Sequence, residues 1–269
     1  MEFRNIRKEL SLAWYMTKTN FYNEAALRGS FLLTVFGMFL NDFAFLFIWI
    51  FFFKSFGTIN GWSVNETIGM QGFAALVYGL CHTFGGGINQ LSRKIDNGSF
   101  DNFLLRPRSL YATIVTGAME TSAIGDLIFG ASIMAVYAVL AHLSGLQIFM
   151  MITLTIPATL VFLNTHLLSN MVAFIFPDAQ NLGRNIFEIV LTPGLYPAAL
   201  YQGVMRFMFF FIIPALAVGG MPVEAVRDIS PVWYAWIWVI AIFWTLITTA
   251  VLNFAVKRYE SGNLIGSRD

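Results

Sequence analysis

Charge is scarce in this chain. Only 12% of its 269 residues are Asp, Glu, Lys or Arg, about half the fraction of an ordinary soluble domain, which excludes a solvated globule of this length. Cysteine is scarcer: the single Cys81 lies inside an apolar run and excludes an intrachain disulfide. No GxxxxGK[ST] pattern occurs, so the chain carries no phosphate-binding loop of its own. No Gly-x-Ser-x-Gly or His-Glu-x-x-His occurs either. The three histidines, His82, His142 and His166, sit in different apolar runs without ligand spacing, and each reads as a packed or interfacial side chain rather than a metal ligand. Catalysis therefore has no constellation to rest on, and no cofactor is expected on this chain. A net charge of +1 gives no reason to expect a nucleic-acid partner. No signal-peptide pattern is visible, because the first long apolar run begins near Ser30 after a charged lead-in.

Hydrophobic residues make up 57% of the chain, with 28 Phe and 7 Trp, and the mean hydropathy is +0.68. A membrane crossing needs about 20 mostly apolar residues. Six runs meet that need: 30–53, 68–88, 109–140, 146–176, 186–219 and 233–256. Six spans place both termini on one side. Basic residues decide which. Arg4, Arg7, Lys8, Lys18, Arg28, Arg93, Lys94, Arg106, Arg108, Arg184, Lys257, Arg258 and Arg268 share one side; Lys54, Arg206 and Arg227 take the other. An imbalance of 13 to 3 predicts cytoplasmic termini. The chain reads as one all-α polytopic membrane domain over 1–269.

The fifth run spans 34 residues and contains Pro193, Pro197 and Pro214. It is too long for one crossing and too broken for two. Either one long kinked helix or a crossing followed by a re-entrant outer segment over 202–219 accounts for it. The lead-in, 1–28, spaces Phe3, Ile6, Leu10, Trp14, Thr17 and Phe21 at helical intervals with its basic residues elsewhere. That is an amphipathic helix suited to the inner membrane surface or to a partner protein.

The segment 89–108 is charged, yet keeps Ile95, Phe100, Phe103, Leu104 and Leu105. A cytoplasmic loop with an apolar stripe is a docking element. Ionisable residues inside spans are costly. Asp42, beside Asn41, lies in the first run; Glu120 falls near mid-bilayer if a helix starts at Leu110; Asp126 falls further out. Asn41, Asp42 and Glu120, with Phe39 and Phe43, are candidates for a polar path that handles a cationic substrate, or for a proton-coupled carrier. The same carboxylates could serve only as glue between helices. Gly117, Thr121 and Gly125 form a small-residue packing face, and Gly85-Gly86-Gly87 reads as a helix-ending or packing device.

These features together resemble the permease subunits of ABC-2 type transporters, and more narrowly the small bacterial six-span permeases encoded as pairs beside an ATPase. Ile95-Asp96-Asn97-Gly98-Ser99-Phe100-Asp101-Asn102-Phe103-Leu104-Leu105-Arg106-Pro107 carries most of the resemblance. Tyr196-Pro197-Ala198-Ala199-Leu200-Tyr201, Ile213-Pro214, Met221-Pro222 and the tail Lys257-Arg258-Tyr259-Glu260-Ser261-Gly262 add to it. Ala173-Phe174-Ile175-Phe176 departs from the Phe-Trp common in that group. The resemblance implies a type V exporter-like fold in a bacterial plasma membrane. It implies a second permease, like or unlike, and a cytoplasmic ATPase dimer that binds ATP and Mg. It makes 89–108 a coupling helix, with Ile95, Asp96, Asn97, Gly98, Phe100, Asp101, Phe103, Leu104 and Arg106 facing the ATPase. Asn97-Gly98 would give the turn, and Phe100, Phe103 and Leu104 the grip. The expected cargo is hydrophobic, amphipathic or cationic.

Overall fold

The computed structural model describes residues 3–106 and 108–259, with side chains from Ser11 onward. Pro107, Glu260–Gly262 and Arg268, and the side chains of Phe3, Arg4, Ile6, Arg7, Lys8 and Leu10, lie outside the described residues. The described chain is all-helical. Helix α1 covers Phe3–Ala25, α2 Arg28–Phe56 and α3 Val64–Gly85. The short helices α4 (Leu91–Asp96), α5 (Asp101–Leu104) and α6 (Leu110–Val115) follow. Then come α7 (Ala123–Leu140), α8 (Gly145–Asn170), α9 (Gln180–Leu191), α10 (Gly203–Phe207), α11 (Gly220–Arg227) and α12 (Pro231–Lys257).

Among the described residues four helices are long and apolar enough to cross a membrane: α2, α7, α8 extended by a 3-10 turn to Phe174, and α12. Six were expected, and the two shortfalls have physical causes. Helix α3 has the length, 22 residues or about 33 Å, but carries Asn65, Glu66, Gln71 and His82. It can carry them because it is the buried centre of the bundle. Its glycines bring α7 into backbone contact: a Cβ on Gly72 would lie 2.9 Å from the Met134 nitrogen, and one on Gly79 would lie 2.6 Å from the Leu127 nitrogen. Close packing of small residues takes the place of apolar bulk. Helix α2 is the opposite case. It exposes Leu32, Leu33, Phe36, Phe47, Ile48 and Phe51, a surface suited to lipid or another apolar neighbour.

The fifth run does not form one helix, so the long kinked helix is excluded. After α9 the chain makes 3-10 turns at Thr192–Leu195 and Ala198–Leu200, then α10, a π-helical turn at Met208–Ile212 and a third 3-10 turn at Pro214–Val218. Pro193 and Pro214 stand in the first turn of their 3-10 segments, where a missing N–H costs least. Residues 214–226, a 3-10 turn followed by α11, are buried throughout, whereas Gln202–Met205, Phe207 and Met208 are exposed.

The third run also breaks. Helix α6 ends at Val115 and α7 starts at Ala123. The gap is filled from outside: Gly86 and Gly87 lie so close to Met119 and Gly117 that a Cβ on Gly87 would meet the Gly117 nitrogen at 2.7 Å. Asn20 of α1 donates to the Thr116 carbonyl at 3.2 Å. Glu120 therefore sits in a non-helical turn, not ten residues up a helix from Leu110. Asp126 is buried in the first turns of α7 against α2. Helix α1 approaches this break through Met16 and Asn20, leaving Trp14 67% exposed on the opposite side.

Helices α8 and α12 are joined by polar side chains. Asn164 donates to Thr245 at 2.9 Å and accepts from Tyr111 at 3.0 Å, and the Trp244 indole donates to Thr165 at 2.9 Å. Such pairs hold helices together where apolar surfaces give no preference over lipid.

Candidate functional site

Residues 91–106 form a compact two-helix element. Asn97 and Gly98 make the turn between α4 and α5. Gly98 has φ +72°, the left-handed region that glycine enters without strain, and the Asn97 side chain accepts from the Ser99 N–H at 3.0 Å. Phe100 faces inward. It is 0% exposed, with ring centroids 5.3 Å from Phe174 and 5.1 Å from Tyr259. Ile95 and Phe103 are buried too. Phe100 and Phe103 thus hold the element to its own chain, while Leu104 and Leu105 are exposed, the latter 82%. Asp96 accepts from Ser92 at 3.2 Å and from the Asp178 N–H at 3.3 Å, which ties the element to the connection after α8. Lys94 and Arg106 lie 5.0 and 5.1 Å from the centre of the Phe103 ring, a cation–π arrangement. Partial burial, then the nearby charges of Arg93 and Arg106, lower the Lys94 pKa. A cleft of ≈ 390 Å³ lined by Arg93, Asp96, Asn97, Asp178, Gln180 and Asn181 opens beside the turn.

A second cavity, ≈ 430 Å³, lies between α2, α3, α7 and the broken segment. Its polar lining is Asn41, Asp42, Gln71, Tyr78 and Asp126; Phe45, Phe129 and Phe162 provide much of the rest. Gln71 donates to the Leu195 carbonyl at 3.3 Å, so the broken segment is fastened to this wall. The two carboxyl groups meet across α2 and α7. The Oδ2 atom of each is buried with no hydrogen-bond partner. No Lys or Arg lines the cavity. Phe39 and Phe43 pack against Phe129, at 6.1 and 5.1 Å between centroids, and stand behind the lining rather than in it.

Glu120 is elsewhere. It lines a third cavity, ≈ 410 Å³, with Tyr78, His82, Asn89, His166, Asn170, Gln180, Arg184, Phe187 and Glu188. Its carboxylate accepts from Asn89 at 3.0 Å and Ser122 at 3.2 Å. His82 Nδ1 stands 3.1 Å from Glu120 Oε2. The chain also brings together two of the three histidines: the rings of His82 and His166 are 4.9 Å apart.

The broken segment is locked by a residue that sequence reasoning passed over. Glu224 on α11 is buried, pairs with Arg206 on α10, and accepts from the Trp62 indole at 3.1 Å. The Asn60 side chain donates to the Ala199 carbonyl at 3.0 Å, so the α2–α3 turn clasps the same segment twice. The sequence signal was an acidic residue inside an otherwise apolar stretch, Met221–Val226.

Long apolar helices around a polar-lined cavity define a polytopic helical membrane protein. Within that class, the profile of the ABC-2 family transporter proteins matches residues 39–263, and the chain belongs to that family. No curated protein and no solved structure matches it at a significant level.

Proposed function

We propose that the chain is the permease subunit of an ATP-driven exporter that moves a cationic amphipathic compound through the cavity between α2, α3 and α7. The observation that carries this reading is the lining of that cavity. Aromatic rings suit an apolar body, and two carboxyl groups with unpartnered oxygens suit a cation. The Asp42–Asp126 pair replaces Glu120 as the ionisable part of the path, and Asn41 remains beside it. The six-span count then takes α3 as the second span and the segment from α9 to Val218 as the fifth, with 202–219 re-entrant on the outer face. The 13-to-3 basic imbalance supports termini in the cytoplasm.

In this reading ATP and Mg bind a separate ATPase dimer, and a second permease completes the membrane unit. Residues 91–106 couple the two. Leu104 and Leu105 give apolar contacts, Asp101 and Arg106 lie alongside, and the internal packing of Phe100 makes the element move as one body with the ends of α8 and α12. The test separates contact from support. Leu105→Asp should leave the chain folded and abolish co-purification of the ATPase and ATP-dependent transport. A normally assembled, active Leu105→Asp complex would overturn the docking assignment.

A second reading has one observation in its favour. The Asp42–Asp126 pair would also suit a proton-coupled carrier. Uptake into vesicles driven by a pH gradient, with no ATPase present, would favour that reading over the first.

A further inference from the structure

We infer that Cys81, His82 and His166 form a binding site for a borderline-soft transition-metal ion, of which zinc is the default. Sequence spacing conceals this site because the residues come from two helices, Cys81 and His82 from α3 and His166 from α8. Folding brings one donor atom of each within 4.8 Å of the other two. Zinc bonds of about 2.0–2.3 Å place tetrahedral donors about 3.5 Å apart, so closing on an ion asks each side chain to move by about 1 Å.

Three further observations point to a ligand and not merely to packing. First, all three side chains are at least nine-tenths buried, yet Nε2 of His82 and Nδ1 of His166 have no hydrogen-bond partner. A buried polar group without a partner is costly, and an ion would satisfy several at once. Second, Glu120 stands 3.1 Å from His82 Nδ1. A carboxylate at one imidazole nitrogen holds the proton there and leaves the other nitrogen as the ligand, the usual outer support of a metal-bound histidine. Glu120 is itself fixed by Asn89 and Ser122. Third, both histidines line the ≈ 410 Å³ cavity, which leaves room for a fourth ligand such as water. One thiolate and two imidazoles suit zinc or copper and are poor for magnesium or calcium. Bound there, the ion would tie α3 to α8 just before the glycine turn that leads into residues 91–106. The inference is independent of the transport reading.

The test uses the full chain purified in detergent, stripped with a chelator, reloaded with zinc and dialysed. Elemental analysis should find about one zinc per chain. Cys81→Ser and His166→Gln should each lose it, and His142→Gln should keep it. Glu120→Gln should weaken retention by about tenfold, as a positioning residue would. Cobalt(II) titrated into the stripped protein should give a thiolate-to-cobalt charge-transfer band, absent in Cys81→Ser. That band, read in the unaltered protein, decides the matter even if the variants fail to fold. No retained zinc and no such band, or zinc held equally by Cys81→Ser and His166→Gln, would overturn the site.

Discussion

Three sets of carboxylates enter the apolar part of this molecule, and each is treated differently. Glu224 has a cationic partner in Arg206 and a neutral donor in Trp62. Glu120 accepts from Asn89 and Ser122 next to His82, with Arg184 lining the same cavity. Asp42 and Asp126 have each other, and each keeps a buried oxygen without a partner. The side-chain chemistry is nearly the same; the surroundings assign the roles. A satisfied carboxylate holds structure, as a lock in the broken segment or as glue at the α6–α7 break. A carboxyl pair on a cavity wall whose members hold only each other is the one proposed to meet something that enters. In sequence Asp42 and Glu120 are equal candidates for lining or for packing; their partners differ.

The lock should show the largest effect. Arg206→Ala leaves Glu224 buried with only the Trp62 indole for company, and removing one partner of a buried pair costs about 3–5 kcal/mol. Because the Arg206 side chain is 32% exposed, the low end is expected. Thermal unfolding in detergent should drop accordingly. The double variant Arg206→Met with Glu224→Leu should recover most of that loss, since an apolar pair needs no counter-charge. If the double variant is as unstable as Arg206→Ala alone, Glu224 is not held as a charge partner and the first arm of the comparison fails.

The cavity pair should respond in function and not in stability. Asp126→Asn retains shape and supplies a donor to Asp42, so melting should hold or rise. Transport of an organic cation by the assembled complex in vesicles should fall by about tenfold, the equivalent of losing about 1.4 kcal/mol of favourable contact. Asp42→Asn should behave alike, and the two losses should not add, because each variant removes the same paired site. A destabilised Asp126→Asn with normal transport would place this pair among the structural carboxylates.

How much of this was legible beforehand depends on whether the cause was local. The apolar runs, the turn at Asn97-Gly98 and the breaks at Pro193 and Pro214 were visible because hydropathy, glycine and proline act over a few residues. The depth of Asp126 and Glu120 was not. It rested on one helix rising from Leu110, and that helix is interrupted by Gly87 pressing on Gly117 and by Asn20 holding the Thr116 carbonyl, contacts from 30 and 96 residues away. A faint clue existed: Gly125 belongs to the small-residue face, and it is this glycine that admits α2, with a Cβ there 2.9 Å from Met38 Cβ. The inward turn of Phe100 was hidden for a similar reason, since Phe174 and Tyr259, which receive it, lie at the ends of two distant helices.

The smallest effect, and the one that sharpens the comparison most, belongs to Glu120. Glu120→Gln keeps a side-chain oxygen for Ser122 or Asn89 but loses the charge that strengthens both bonds. One weakened hydrogen-bond set is worth about 1 kcal/mol, a shift in melting of a few degrees. Transport should stay within about twofold of the unaltered complex, a difference of less than about 0.5 kcal/mol. The paired measurement matters more than either value: Glu120→Gln should lower melting with transport kept, and Asp126→Asn should lower transport with melting kept. Equal transport losses in the two variants would mean that the ≈ 410 Å³ cavity and the ≈ 430 Å³ cavity serve one path. They share Tyr78 as a lining residue, and that ring is where such a path would have to open.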